Sequence, residues 1–240
     1  MPVQLNRGFA LTWLGHSTFK LVTRGAKTVL IDPWVEGNPA CPQSQKHFDK
    51  IDVMTISHGH GDHMGDAVTL AKKHRPTVIC IYEIHAWLQR KGVTTTSPMN
   101  KGGTQEIHGL RFTMTQALHS GGIEDGSQLH YGGEPSGFVL TLEDGTRIYH
   151  AGDTAVFADM QLIGEIYQPE IALLPIGDLF TMSPREAAYA ARMLRPKYIV
   201  PMHHGTFPAL TGTPEALREE LGKLGIVSEV VALRPGETLS

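Results

Sequence analysis

The sequence predicts an α/β protein in which two mixed β-sheets pack together with helices on the outside, in one domain over residues 1–240. Three observations predict it. Short runs rich in β-branched residues cluster early in each half of the chain and then alternate with helical spacings, the order expected when stacked sheets carry helices on their outer faces. The 240 residues are 41% hydrophobic and 19% charged, an ordinary globular composition able to bury a large core without staples. No linker and no low-complexity segment divides the chain.

The elements follow in order. Residues 9–14, 18–23 and 28–31 read as a meander of short strands separated by Gly15 and Gly25. Residues 35–50 are polar with two prolines and read as loop. Residues 51–56 form a strand, and the segment from 64 to 74 spaces Val68, Leu70 and Ala71 for a helix face. A strand at 77–81 and a helix at 83–91, closed by Gly92, come next, then a hairpin of 105–108 and 110–117 around Gly109. Residues 118–137 are Gly- and Ser-rich and read as one long loop, a feature that is often functional in a compact domain. A hairpin of 138–142 and 147–150 turns at Glu143-Asp144-Gly145. Residues 155–167 have helical spacing and 171–175 form a strand. Ser183-Pro184-Arg185-Glu186 is a capping box with proline at the first helical position, opening a helix to about Leu194. A strand at 198–201, a helix from Thr213-Pro214 to near Gly225, and a strand at 229–233 complete the chain. The halves echo each other weakly: 28–32 and 147–153 are both second strands of hairpins ending in a carboxylate, Asp32 and Asp153.

The net charge is −3 and no long basic run is present, so there is no electrostatic footprint for nucleic acid or an anionic membrane. Cys41 and Cys80 make neither a disulfide framework nor a CxxC site. No apolar run approaches a membrane span and the first residues lack a signal-type apolar stretch. The expectation is a cytoplasmic protein acting on a small-molecule substrate, with neither nucleic acid nor membrane as partner; a homo-oligomer is compatible with the sequence.

The chemistry concentrates in Ser57-His58-Gly59-His60-Gly61-Asp62-His63, an HxHxDH pattern on the turn between a strand and a helix. Imidazole and carboxylate donors together suit zinc and related first-row metals. With 13 histidines in the chain some clustering arises by chance, but four specified positions in six residues on such a turn point to metal. Further ligands belong at other strand ends. His119 follows 110–117, Asp153 follows 147–150, and His203 follows 198–201. Taken singly, His119 reads as a loop histidine and Asp153 as a turn residue. Of the adjacent His203 and His204, only one can point inward from a strand end.

With these motifs in this order, the chain resembles the metallo-β-lactamase superfamily over nearly all of its length. Trp13-Leu14-Gly15-His16-Ser17, Gly152-Asp153-Thr154 and His203-His204-Gly205-Thr206-Phe207 resemble the branch of small metal-dependent hydrolases related to L-ascorbate-6-phosphate lactonase. The resemblance implies an αββα sandwich, the metallo-β-lactamase fold, with two divalent metal ions at the sheet edge. It implies that His58, His60 and His119 hold one metal, that Asp62, His63 and His203 hold the other, and that Asp153 bridges them. His204 departs from the pattern, since many relatives carry tyrosine there. The donor set favours zinc, with manganese as second choice.

The implied activity is a hydrolase in which a hydroxide shared by two metals attacks an ester, lactone or phosphodiester-type substrate. Asp62 and Asp153 orient it, and His16, placed near the metals by resemblance alone, is the expected proton donor to the leaving group. Asp32 reads equally as a turn residue and as an acceptor that fixes a ligand ring. His130 and His150 stay open. His47, His74, His85 and His108 read as surface or packing residues, and Phe180-Thr181-Met182 as core or pocket wall. The chain has no GxSxG elbow. The alternatives are a redox di-iron protein, a nuclease, or a non-catalytic metal-binding protein. A di-iron relative has Glu where His60 stands, and a nuclease needs a basic groove; neither matches this sequence.

Overall fold

The computed structural model describes residues 4–240. The first sheet begins as an antiparallel meander of β1 (Ala10–Trp13), β2 (Phe19–Val22) and β3 (Thr28–Ile31). It continues in parallel through β4 (Val53–Thr55), β5 (Thr77–Ile81) and β6 (Thr96–Met99). The second sheet repeats that plan. β7 (Thr104–Ile107), β8 (Leu110–Gln116), β11 (Ser136–Thr141) and β12 (Arg147–His150) are antiparallel; β13 (Ile171–Pro175), β14 (Tyr198–Met202) and β15 (Glu229–Val230) then add in parallel. The last strand, β16 (Thr238–Leu239), returns to pair with β1. Each sheet therefore has seven strands. β9 (Gly122–Asp125) and β10 (Gln128–Tyr131) form a separate hairpin.

This is the αββα sandwich. The strands at the switch from antiparallel to parallel pairing, β3 and β12, are the two followed by Asp32 and Asp153, so the sequence echo is an architectural one. β4, β13 and β14 are buried at every position, as parallel strands covered on both faces are. The edge strand β7 instead alternates exposed and half-buried residues. Phe19, Leu21 and Leu30 of the first sheet and Phe112, Phe138 and Tyr149 of the second belong to one contiguous apolar cluster and are fully buried.

Helices α1 (Gly61–Met64), α2 (Ala67–His74) and α3 (Tyr82–Arg90) follow β4 and β5; α4 (Met160–Tyr167), α5 (Pro184–Leu194) and α6 (Pro214–Lys223) follow β12, β13 and β14. The capping box of α5 is formed: Ser183 Oγ accepts from the Glu186 N–H at 3.3 Å and Glu186 Oε2 accepts from the Ser183 N–H at 2.9 Å. Such a cap contributes about 1 kcal/mol.

Five features differ from the sequence expectation. The motif helix is broken into α1 and α2, because Asp66 Oδ2 accepts the backbone N–H groups of Val35 and Glu36 at 2.6 and 2.9 Å and ties the break to the loop after β3. The long loop 118–137 contains the β9–β10 hairpin, turning at Gly126 with φ +63°, the positive φ that tight hairpin turns require. β6 and β16 were not expected. The helix expected from residue 155 begins only at Met160.

Candidate metal centre

The side chains of the motif are aimed by backbone features at strand ends. His58 lies three residues beyond β4, and His60 is the N-cap residue of α1, which carries Asp62 and His63. Gly59 is required where it stands: a Cβ there would come within 2.6 Å of Ile123 Cγ1 and 2.8 Å of the Gly121 carbonyl oxygen on the hairpin above. His16 and His203 have positive φ, +56° and +53°. The His203 N–H donates to the His16 carbonyl at 2.9 Å, which locks these two loops together.

One carboxylate oxygen is the focus. Asp153 Oδ2 lies 3.0 Å from His203 Nε2, 3.1 Å from His63 Nε2, 3.7 Å from His119 Nε2 and 4.0 Å from His58 Nε2. Candidate ligand atoms group within 4.8 Å of one another as His58, His60 and His119; as His16, Asp62, His63 and His203; and as His58, His63 and Asp153. The third group links the other two. His63 Nδ1 donates to Asp32 Oδ2 at 2.8 Å, while His63 Nε2 is buried and faces Asp153 Oδ2. Asp32 thereby directs the other nitrogen of the ring at Asp153, and a cation held by both would satisfy them. These residues fit a metal.

Ser57, Ser120 and Thr206 fix the remaining rings, and the sequence assigned none of them a role. Ser57 Oγ donates to Asp32 Oδ2 at 2.6 Å and meets His58 Nδ1 at 3.0 Å, leaving Nε2 of His58 toward the centre. Ser120 Oγ meets His60 Nε2 at 3.3 Å, and His60 Nδ1 lies 2.9 Å from His58 Nε2. Each of these hydroxyls sits within three residues of a motif histidine, which is the signal that could have found them.

The electrostatics match. Burial lowers the His58 pKa well below the ordinary value, and the neighbouring His63 adds to this. Burial opposes ionisation of Asp153, but His63 and His203 outweigh it and hold its carboxyl well below the usual range. Burial also disfavours charge on His63; Asp153 and Asp32 outweigh it and raise its pKa well above the usual value in the metal-free chain.

A profile described as Beta-lactamase superfamily domain matches residues 27–204. The chain is 56% identical over 234 residues to a UPF0173 metal-dependent hydrolase of Koribacter versatilis, covering 98% of this chain and 99% of that one. It is 52% identical over 227 residues to a UPF0173 metal-dependent hydrolase of Solibacter usitatus, covering 95% and 97%. The chain belongs to the UPF0173 family of metal-dependent hydrolases, within the β-lactamase superfamily. Among solved structures, Igni18, a metallo hydrolase of Ignicoccus hospitalis, superposes with a TM-score of 0.85 at 35% identity, covering 96% of this chain and 97% of that one.

In this UPF0173 chain His16 lies beside the centre, in the same group as Asp62, His63 and His203. Its side chain is fully buried, with Nε2 3.0 Å from Asp62 Oδ2 and Nδ1 3.0 Å from Thr206 Oγ1. Both ring nitrogens are engaged, one by Asp62 and the other by Thr206. His204 lies outside the ligand groups, stacked on Trp13 at 5.1 Å between ring centroids. His150 is buried behind the centre: Nε2 donates to the Ser17 carbonyl at 3.0 Å, and Nδ1 accepts from the Gly152 N–H at 3.2 Å. His130 is on the hairpin, 3.9 Å from Asp125 Oδ2. Asp62, His60, His119, Asp153 and His203, with Ser120 and Phe180, line an open cleft of about 340 Å³. Met182 is core and Phe180 is cleft wall. No helix among the described residues is long and apolar enough to cross a membrane.

Proposed function

We propose that this chain is a single-domain, dinuclear-metal hydrolase that cleaves an ester, lactone or phosphodiester-type bond in a small molecule. The observation that carries this reading is the placement of Asp153 Oδ2 within 4.0 Å of four imidazole nitrogens from three separate segments. His58, His60 and His119 would hold one ion; Asp62, His63 and His203 the other; Asp153 both. The nitrogen and oxygen donors favour zinc, with manganese as the second choice. A bound metal pair supplies Lewis acidity, lowering the pKa of water and polarising the scissile carbonyl or phosphoryl group.

The chain's own residues supply order. Asp62 is kept ionised: burial opposes its charge, but the His16 hydrogen bond and the nearby His63 overcome this and lower its pKa. Its carboxylate faces the cleft, where it orients the attacking water. Asp32, Ser57 and Ser120 hold the imidazoles in fixed tautomers, so little reorganisation accompanies the reaction. The leaving group takes its proton from solvent water entering the open cleft.

One turnover in ¹⁸O-labelled water, with enzyme in excess over a hydrolysable lactone or ester, tests the route. Label in the first product supports direct attack by water. An unlabelled first product, carrying an oxygen from an enzyme carboxylate, overturns it in favour of a covalent intermediate.

A further inference from the structure

We propose that Phe180 determines specificity, and that the substrate carries an uncharged apolar group beside its scissile bond. This rests on the hydrolase reading above and narrows it to apolar esters and lactones.

Phe180 is 61% exposed yet lines the same cleft as the ligand cluster. Its position is enforced. The Phe180 N–H donates to the Asp178 carbonyl at 2.6 Å, and the Asp178 N–H to the Met182 carbonyl at 3.0 Å. Asp178 and Leu179 are successive non-glycine residues with φ of +65° and +55°, a strained conformation that concentrates at functional sites. Burial of the loop's tip does not offset this strain, since Leu179 is 64% exposed.

The loop is anchored to the centre at both ends. A Cβ on Gly177 would overlap the His203 carbonyl oxygen. The Met182 N–H donates to the Thr154 carbonyl at 3.2 Å, one residue beyond Asp153. Thr154 Oγ1 also accepts the N–H of Leu118 at 2.9 Å. The loops bearing Phe180 and His119 are therefore neighbours.

The charges point the same way. The cleft wall contains the carboxylates Asp62 and Asp153 and, among the described residues, no lysine or arginine. A phosphate or carboxylate group on the distal part of a substrate would meet no cationic side chain there, whereas such groups are ordinarily held by arginine or lysine. An aromatic ring beside a few convergent polar groups is instead the usual lining for an apolar ligand.

Metal-reconstituted wild type, Phe180→Ala and Phe180→Leu are compared on δ-valerolactone and the pentyl-tailed δ-decalactone, with acid release followed by pH-stat. Ile166→Ser, an exposed apolar site on α4, is the control. Calorimetry with acetate, hexanoate and inorganic phosphate gives a readout independent of turnover. The wild type is expected to favour δ-decalactone at least about ten-fold in kcat/KM, in line with discrimination by apolar pockets. Phe180→Ala should abolish most of that preference, Phe180→Leu should retain part of it, and metal content should not change. Hexanoate should bind more tightly than acetate or phosphate to the wild type but not to Phe180→Ala. Equal use of both lactones by the wild type, an undiminished preference in Phe180→Ala, or tighter binding of phosphate than of hexanoate overturns the proposal. If neither lactone is cleaved but hexanoate still binds in a Phe180-dependent way, the apolar subsite stands and the hydrolase reading fails.

Discussion

His16 Nε2 lies 3.0 Å from Asp62 Oδ2, and the other nitrogen of the same buried ring lies 3.0 Å from Thr206 Oγ1. Asp62 is ionised and can only accept, so His16 donates from Nε2 and receives the Thr206 hydroxyl proton at Nδ1. Burial drives the His16 pKa down to about 4 against the pull of Asp62, which keeps the ring neutral.

His16→Ala should therefore weaken binding of the metal that Asp62 holds by about 10–100-fold, the usual effect of removing a partner that orients a ligand. Thr206→Val should do so less. Competitive metal titration checks both. Unchanged metal affinity in His16→Ala, with slowing confined to substrates with poor leaving groups, would return His16 to the role of proton donor.

Asp32 is fully buried and accepts three hydrogen bonds: from the Ser57 N–H at 2.7 Å, the Ser57 hydroxyl at 2.6 Å and His63 Nδ1 at 2.8 Å. Asp32→Ala leaves three buried donors without their acceptor. At about 1–3 kcal/mol for an unsatisfied buried group, urea unfolding of the metal-free variant should show a loss of at least about 2 kcal/mol. A loss below about 0.5 kcal/mol would mean that Asp32 is an ordinary turn residue.

The pH dependence follows from opposite shifts in His63 and Asp153. In the metal-free chain, burial disfavours charge on His63, but Asp153 and Asp32 hold its pKa well above the usual 6.5. Its stabilising contribution is complete below 6.5 and is lost as pH rises through the raised value. The Asp153 contribution is complete above 3.8 and is lost as pH falls through the depressed value. At neutral pH the His63 proton occupies the nitrogen that a metal needs. Metal binding should thus release a proton, and affinity should rise with pH. Calorimetric titration in two buffers of different ionisation enthalpy measures the release; a heat independent of buffer would contradict it.

The centre was more legible in the sequence than the walls around it. HxHxDH, His119, Asp153 and His203 stood out because metal-binding residue types recur at strand ends, and those ends were readable from apolar runs such as Val29-Leu30-Ile31 and Ile199-Val200. β6 escaped because it is polar, contains Pro98 and pairs only with β5. The β9–β10 hairpin escaped because Leu129 and Tyr131 face solvent, so it lacks the alternation that burial of one face imposes. The roles of His16 and Phe180 depend on which way a side chain points after two distant loops meet, and spacing along the chain does not encode that.

Two ligand groups that share Asp153 would hold a pair of metals. The most direct test is metal content per chain, measured after reconstitution and removal of free ion. The wild type and His204→Tyr should each retain two equivalents, while His60→Ala and His203→Ala should each fall toward one. A single equivalent in the wild type, or two equivalents retained in His203→Ala, would contradict the account.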